Sequence, residues 1–85
     1  MKVFKVVAVK DELTNSFLQP TFIESIEEAE RLFAYQINNI GIWKENPEDY
    51  SLYHIGSYDQ ETGSLIGINP VKVAGGRSVR KKEEE

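Results

Sequence analysis

From Lys2 to Lys10 the chain alternates without separating polar from apolar. Phe4, Val6 and Ala8 fall on one side of an extended segment, and Val3, Lys5, Val7 and Val9 on the other. β-Branched and aromatic residues favour a strand. Two largely apolar faces predict a central strand, or one whose second face is covered by a partner chain. Lys10–Ser16 is polar and reads as a turn, after which Phe17–Ile23 reads as a second, short strand. Pro20 has no N–H to give a ladder, which places that strand at an edge.

At Ser25 the period changes. Ile26, Ala29, Phe33, Ile37 and Ile40 recur every three or four residues, while Glu27, Glu30, Arg31 and Asn38 face away. This is the stripe of an amphipathic helix over about 26–40. Ser25 and Glu28 have the spacing of a capping box, and acids crowd the first turn, where the helix dipole favours them. Asn39 and Gly41 supply the expected stop, with glycine in the left-handed conformation.

The next stretch, Ile42–Asp49, reads as a loop around Trp43 and Asn46-Pro47, because the residue before a proline avoids helical geometry. Tyr50–Tyr58 is a third strand. In Asp59-Gln60-Glu61-Thr62-Gly63, Asp59 can accept from backbone N–H groups ahead of it, and Gly63 can take the positive φ of a hairpin bulge. Ser64–Val73 returns as a fourth strand. The order ββαββ predicts an α+β fold, a four-stranded, mainly antiparallel sheet with one amphipathic helix on one face. Residues 1–73 form the single domain, and 74–85 read as a flexible tail, basic and then acidic.

One domain is also what 85 residues allow. The absence of cysteine removes disulfides and thiolate metal sites, and the one histidine, His54, makes no zinc site alone. No cofactor is expected. Lys2 and Lys5 interrupt the N-terminal apolar run, so neither a signal peptide nor a membrane span is predicted. The cytoplasm is the expected compartment.

Charge sharpens the picture. Residues 1–10 carry Lys2, Lys5 and Lys10 and no acid, and residues 72–82 carry Lys72, Arg77, Arg80, Lys81 and Lys82 and no acid. Between them Arg31 and Lys44 stand against eleven acidic side chains, and Glu83, Glu84 and Glu85 bring the net charge to −4 overall. A polyanion would be repelled by the middle of the chain and attracted to its ends. A charged C-terminal tail also serves solubility alone.

With one helix for four strands, the second sheet face has no cover in this chain. Homodimerisation through that face or a strand edge, or a nucleic acid lying across its rings, would occupy it. Phe4, Tyr50, Tyr53, His54 and Tyr58 are the candidate contacts, though each could equally be a core or cross-strand residue. Catalytic motifs fail on context. Gly63-Ser64-Leu65-Ile66-Gly67 opens a hairpin strand where a serine elbow needs a strand-to-helix turn. Glu48 and Asp49 lack a second ligand cluster, and Gly75-Gly76 lacks the lysine and helix of a phosphate loop. The chain is expected not to be an enzyme and to have no small-molecule substrate.

The stretch Asn46–Gly63 nevertheless resembles a known family. A Pro-Glu-Asp-aromatic start (Pro47–Tyr50), the strand Leu52-Tyr53-His54-Ile55-Gly56 and the turn Asp59–Gly63 occur in the order found in the small non-structural protein, credited with DNA binding, of gokushovirus-type microviruses. Glu28-Ala29-Glu30-Arg31-Leu32-Phe33 is similar to that family's helix, and His54 departs from it where lysine or arginine is often found. The resemblance implies a phage accessory protein that binds single-stranded DNA during genome replication or before packaging. Lys2, Lys5, Lys10, Lys72, Arg77, Arg80, Lys81 and Lys82 would meet phosphates, and Tyr53, His54 and Tyr58 would meet bases. The four strand lysines could share an edge or face if the first and fourth strands are neighbours. The alternative is a homodimeric adaptor that recruits a phage or host replication protein without touching DNA.

Overall fold

The computed structural model describes residues 3–81. Strand β1 (Val3–Asp11) lies inside the sheet, as its two apolar faces predict, and Val6, Val7, Ala8 and Val9 are all buried. On one side it pairs antiparallel with β2 (Ser16–Phe17) and β3 (Thr21–Ile23), and on the other with β4 (Tyr50–Asp59). Beyond β4 lies β5 (Ser64–Gly75), which is the far edge.

The single second strand expected over Phe17–Ile23 is split. Pro20 sits at an edge as predicted, but Leu18, Gln19 and Pro20 lie outside the strands. The Leu18 N–H still donates to the Val9 carbonyl at 2.8 Å, whereas Pro20 has no donor to offer.

Helix α1 (Ile26–Asn39) closes one face of this sheet. The Ser25 hydroxyl accepts from the Glu28 N–H at 3.1 Å, satisfying one of the free donors of the first turn. Ala29, Phe33 and Ile37 pack on Val7, Val9, Tyr50 and Leu52, with Ile23, Ile26, Trp43, Val73, Ala74 and Val79 around them.

Three local expectations are corrected. Gly41 does not take a left-handed φ; Ile40 is the extended cap, and Gly41 opens a second helix, α2 (Gly41–Glu45). The loop expected over Ile42–Asp49 is thereby helical, α2 being followed by a 3₁₀ turn at Pro47–Asp49. Trp43 anchors it by stacking on Tyr50, with centroids 4.8 Å apart. Proline suits the first position of such a turn, where no N–H is needed.

The third correction concerns the tail. Residues 74–81 are folded: β5 continues to Gly75 and a short helix, α3 (Gly76–Val79), docks at the end of α1. A Cβ on Gly76 would run into the Pro47 carbonyl and the Ile37 side chain, so only glycine fits there. Asn38 Nδ2 donates to the Val79 carbonyl at 3.0 Å, and its Oδ1 accepts from the Lys81 N–H at 2.7 Å. Lys82–Glu85 and Lys2 lie outside the described residues.

The β4–β5 turn forms as the sequence predicts. Asp59 accepts from the Glu61 N–H through its side chain and from the Gly63 N–H through its carbonyl, and Gly63 has φ +76°.

Candidate nucleic-acid interface

Cross-strand register sorts the side chains onto two faces, since residues directly opposite each other share a side. Val7 and Val9 point at the helix, so Phe4, Val6, Ala8 and Lys10 belong to the open face. Opposite them in β4 stand Tyr58, Gly56, Tyr53 and Ser51. Opposite these in β5 stand Leu65, Gly67, Lys72 and Gly75. Phe17 faces Lys10, and Phe22 faces Val6.

Tyr53 and Tyr58 are five positions apart, a separation that places residues of an unbroken strand on opposite sides. They share a side because β4 carries an extra residue, Ile55, between His54, opposite Val7, and Gly56, opposite Val6. Phe17 and Phe22 have the same separation and the same outcome, because the chain leaves the ladder at Leu18–Pro20. β5 is irregular at the matching level, between its pairings with His54 and Gly56.

The result is two edge-to-face ring pairs. Phe17 and Tyr53 have centroids 5.4 Å apart with planes at 76°, and Phe22 and Tyr58 have centroids 5.2 Å apart with planes at 81°. The Lys10 ammonium lies 5.6 Å from the Phe17 centroid and 5.8 Å from that of Tyr53. Lys72 curls over Gly75, where an added Cβ would touch its Cε and Nζ at 3.7 Å. Across this face the strand positions carry Lys10 and Lys72 and no acid. A carboxylate stands beside them at Glu12, just past β1. It accepts from the Tyr53 hydroxyl at 3.2 Å and pairs with Lys10 at 3.7 Å. Burial, then the Glu12 charge and its hydrogen bond, push the Tyr53 phenol above its ordinary 10.0.

Other expected contacts lie elsewhere. β1 and β5 are not neighbours, because β4 separates them. The condition for one shared lysine edge therefore fails, and Lys5 falls on the helix side with Val7. His54, opposite Val7 and Val71, also faces that side, and its Nε2 donates to the Gly56 carbonyl at 2.9 Å. Tyr50 is a core residue, 8% exposed. Its phenol is raised by burial and then by Asp11 and Asp49.

The basic C-terminal residues sit with the helices. Arg77 pairs with Glu48 at 3.8 Å, Arg80 Nε donates to the Lys44 carbonyl at 3.1 Å, and Lys81 is held through Asn38. Sequence reasoning missed Phe17 and Phe22 as members of the open face; their aromatic character was visible, but not the break that turns both the same way.

Among the described residues no group of three or more histidine or carboxylate side chains is placed to hold a metal ion, and no helix is long and apolar enough to cross a membrane. Residues 4–79 match the family described as Phage ORF5 protein. The chain belongs to that family. The match runs from the first aromatic residue of β1 to the end of α3, so the folded C-terminal segment lies within the region that defines this phage family. Comparison with curated proteins and with solved structures gave no match.

Proposed function

We propose that this phage protein is a non-catalytic accessory factor that binds single-stranded DNA on the open face of its sheet. The resemblance to the gokushovirus-type protein motivates the reading. The observation that carries it is the composition of that face: rings at Phe4, Phe17, Phe22, Tyr53 and Tyr58, lysines at positions 10 and 72, and no acid in any strand position. Bases stack on such rings whatever their identity, each stack contributing roughly 1–3 kcal/mol, and lysines neutralise the phosphates between them. The acids of α1 lie on the far side of the sheet, away from the strand of DNA. The host-cell cytoplasm, where such a genome is copied, is the compartment this role requires.

The test is a salt titration of oligonucleotide binding, followed by tyrosine fluorescence. Neutralising two phosphates gives a log–log slope of about −1.4 for a single strand. Lys10→Gln and Lys72→Gln should each flatten it, and Arg77→Gln should leave it unchanged. Failure to bind a single-stranded oligonucleotide at low salt would overturn the reading.

A second reading, the protein adaptor, draws support from the exposed apolar side chains of β5, Leu65, Ile66, Ile68 and Val71. It becomes the better account if the full chain ignores DNA but captures a phage or host replication protein through that strand.

A further inference from the structure

Among the described residues β5 ends the sheet, leaving one row of backbone donors and acceptors without a neighbouring strand. Natural edges of this kind are usually guarded by charged side chains, bulges or shortness. This one is long and from Ser64 to Val71 carries no charge in a chain of net −4; its pairing with β4 is irregular across Ile68–Pro70 and again at Val73, which leaves Ser64–Gly67 as its regular, unguarded part. Residues 60–72 form an unbroken exposed run. Within it Leu65 is 64% exposed, Ile66 57%, Ile68 42% and Val71 55%. Leu65 lies on the open face opposite Tyr58, while Ile66, opposite Ser57 and Lys5, lies on the other. Whatever pairs here must therefore supply apolar side chains on both sides of one extended, uncharged segment.

We infer that the occupant is the same strand of a second copy, so that two chains join β5 to β5 into one continuous antiparallel sheet. The acidic parts of the molecule would repel one another, and the neutral stretch is where two copies can approach without like charges meeting. A standard interface takes about 800 Å² from each partner, roughly one-seventh of the 5844 Å² exposed by this chain. The exposed run 60–72, along β5 and its turn, is the surface that would supply it.

The ladder should be centred on Gly67, where the regular part of β5 meets the irregular Ile68–Pro70, and should end at Pro70, which has no N–H to give. A two-fold axis through Gly67 sets Ile66 opposite Ile68 of the second copy. An antiparallel pair of identical strands in one sheet is related by an axis perpendicular to that sheet, so both copies keep the same faces. The two sets of Phe17–Tyr53 and Phe22–Tyr58 rings then lie on one side of a doubled platform. That last consequence rests on the DNA-binding reading; the dimer itself does not.

The experiment is light scattering on the full-length chain without DNA, for the native sequence and for the double variant Ile66→Lys/Ile68→Lys. Both positions are exposed, and circular dichroism checks that the variant folds. The native chain should have twice the 9.7 kDa chain mass, and the variant the mass of one chain. A native monomer at the highest soluble concentration, or a dimer that survives both lysines, would overturn the proposal.

A second measurement fixes the register. The chain has no cysteine, and a Cβ at Gly67 meets nothing closer than the Ile55 carbonyl oxygen at 4.0 Å. Gly67→Cys should therefore fold and, on mild oxidation, link two chains covalently. A variant that stays unlinked contradicts pairing about Gly67. Oligonucleotide titration of the monomeric lysine variant separates the two claims. Binding with half the native site size keeps the DNA reading and supports the doubled platform, whereas an unchanged site size per assembly removes the platform.

Discussion

The two faces of this sheet are built from the same residue types and covered differently. On the helix side Tyr50 is stacked on Trp43 and almost wholly buried, and Val7, Val9 and Leu52 meet Phe33 and Ile37. Three residues along the same strand, Tyr53 turns to the open side and meets Phe17 edge to face, with Lys10 near both rings. One face is closed by α1, whose apolar stripe fits it, with Trp43 of α2 and Val79 of α3 beside it. The other has buried Val6 and Ala8 opposite Phe22 and Tyr53, pairs its rings edge to face, and leaves Phe17 and Phe22 half exposed. Aromatic residues in a strand thus state where a surface lies without stating what it is for; the covering element decides that.

The largest test of this contrast removes one phenylalanine from each side. Phe33 is 1% exposed, so Phe33→Ala should lower the unfolding free energy by about 3–5 kcal/mol, read from urea denaturation. Phe22→Ala should cost less than about 1.5 kcal/mol, the worth of one aromatic pair, yet weaken oligonucleotide binding. Equal losses of stability would mean that the open face is also core.

Next in size is Gly56→Ala. An added Cβ would sit 2.5 Å from the Ile66 carbonyl oxygen, so β4 and β5 must part locally. The expected loss is about 1–3 kcal/mol, with hydrogen exchange quickened in the hairpin before the helix. An unchanged midpoint would show that the close approach is dispensable.

Glu12→Gln probes the acid that touches the lysine–ring cluster. Removing a half-exposed charge should tighten DNA binding by about 0.2–1 kcal/mol and, through the Tyr53 hydroxyl, lower that phenol's titration midpoint. The sign follows from the direction of the shift. A phenol raised in the folded state contributes stability below its unfolded value of 10.0, and that contribution is lost as pH climbs through the folded value. The tyrosinate absorbance of the variant should accordingly appear at lower pH than in the native chain.

Much of the helix-covered half was legible in sequence. The stripe Ala29–Phe33–Ile37, the Ser25 cap and the Asp59–Gly63 turn each follow from local rules that hold at their own positions. The tail was misread because Gly75-Gly76 looks like a flexible joint, whereas Gly76 is a contact too tight for any side chain. α2 was missed because Pro47 suggested a loop, while Trp43 had a long-range partner in Tyr50 that no short window contains.

The open face was only half legible for a different reason. A period of two predicts sides correctly until one residue is added or leaves the ladder, and here Ile55 and Leu18–Pro20 each reverse the parity. Reading straight through would put Tyr58 opposite to Tyr53 and Phe22 opposite to Phe17, and would leave no platform at all. Lys5 and His54 were grouped with the site by their charge and neighbours, although alternation with Val7 turns both to the helix side.

Backbone amide resonances of the full chain, followed as a single-stranded oligonucleotide is added, decide whether the uncovered side of the sheet is the binding surface. Shifts should concentrate at Lys10, Phe17, Phe22, Tyr53, Tyr58 and Lys72, leaving α1 unmoved. Shifts confined to α1 and α3, or none at low salt, would contradict it.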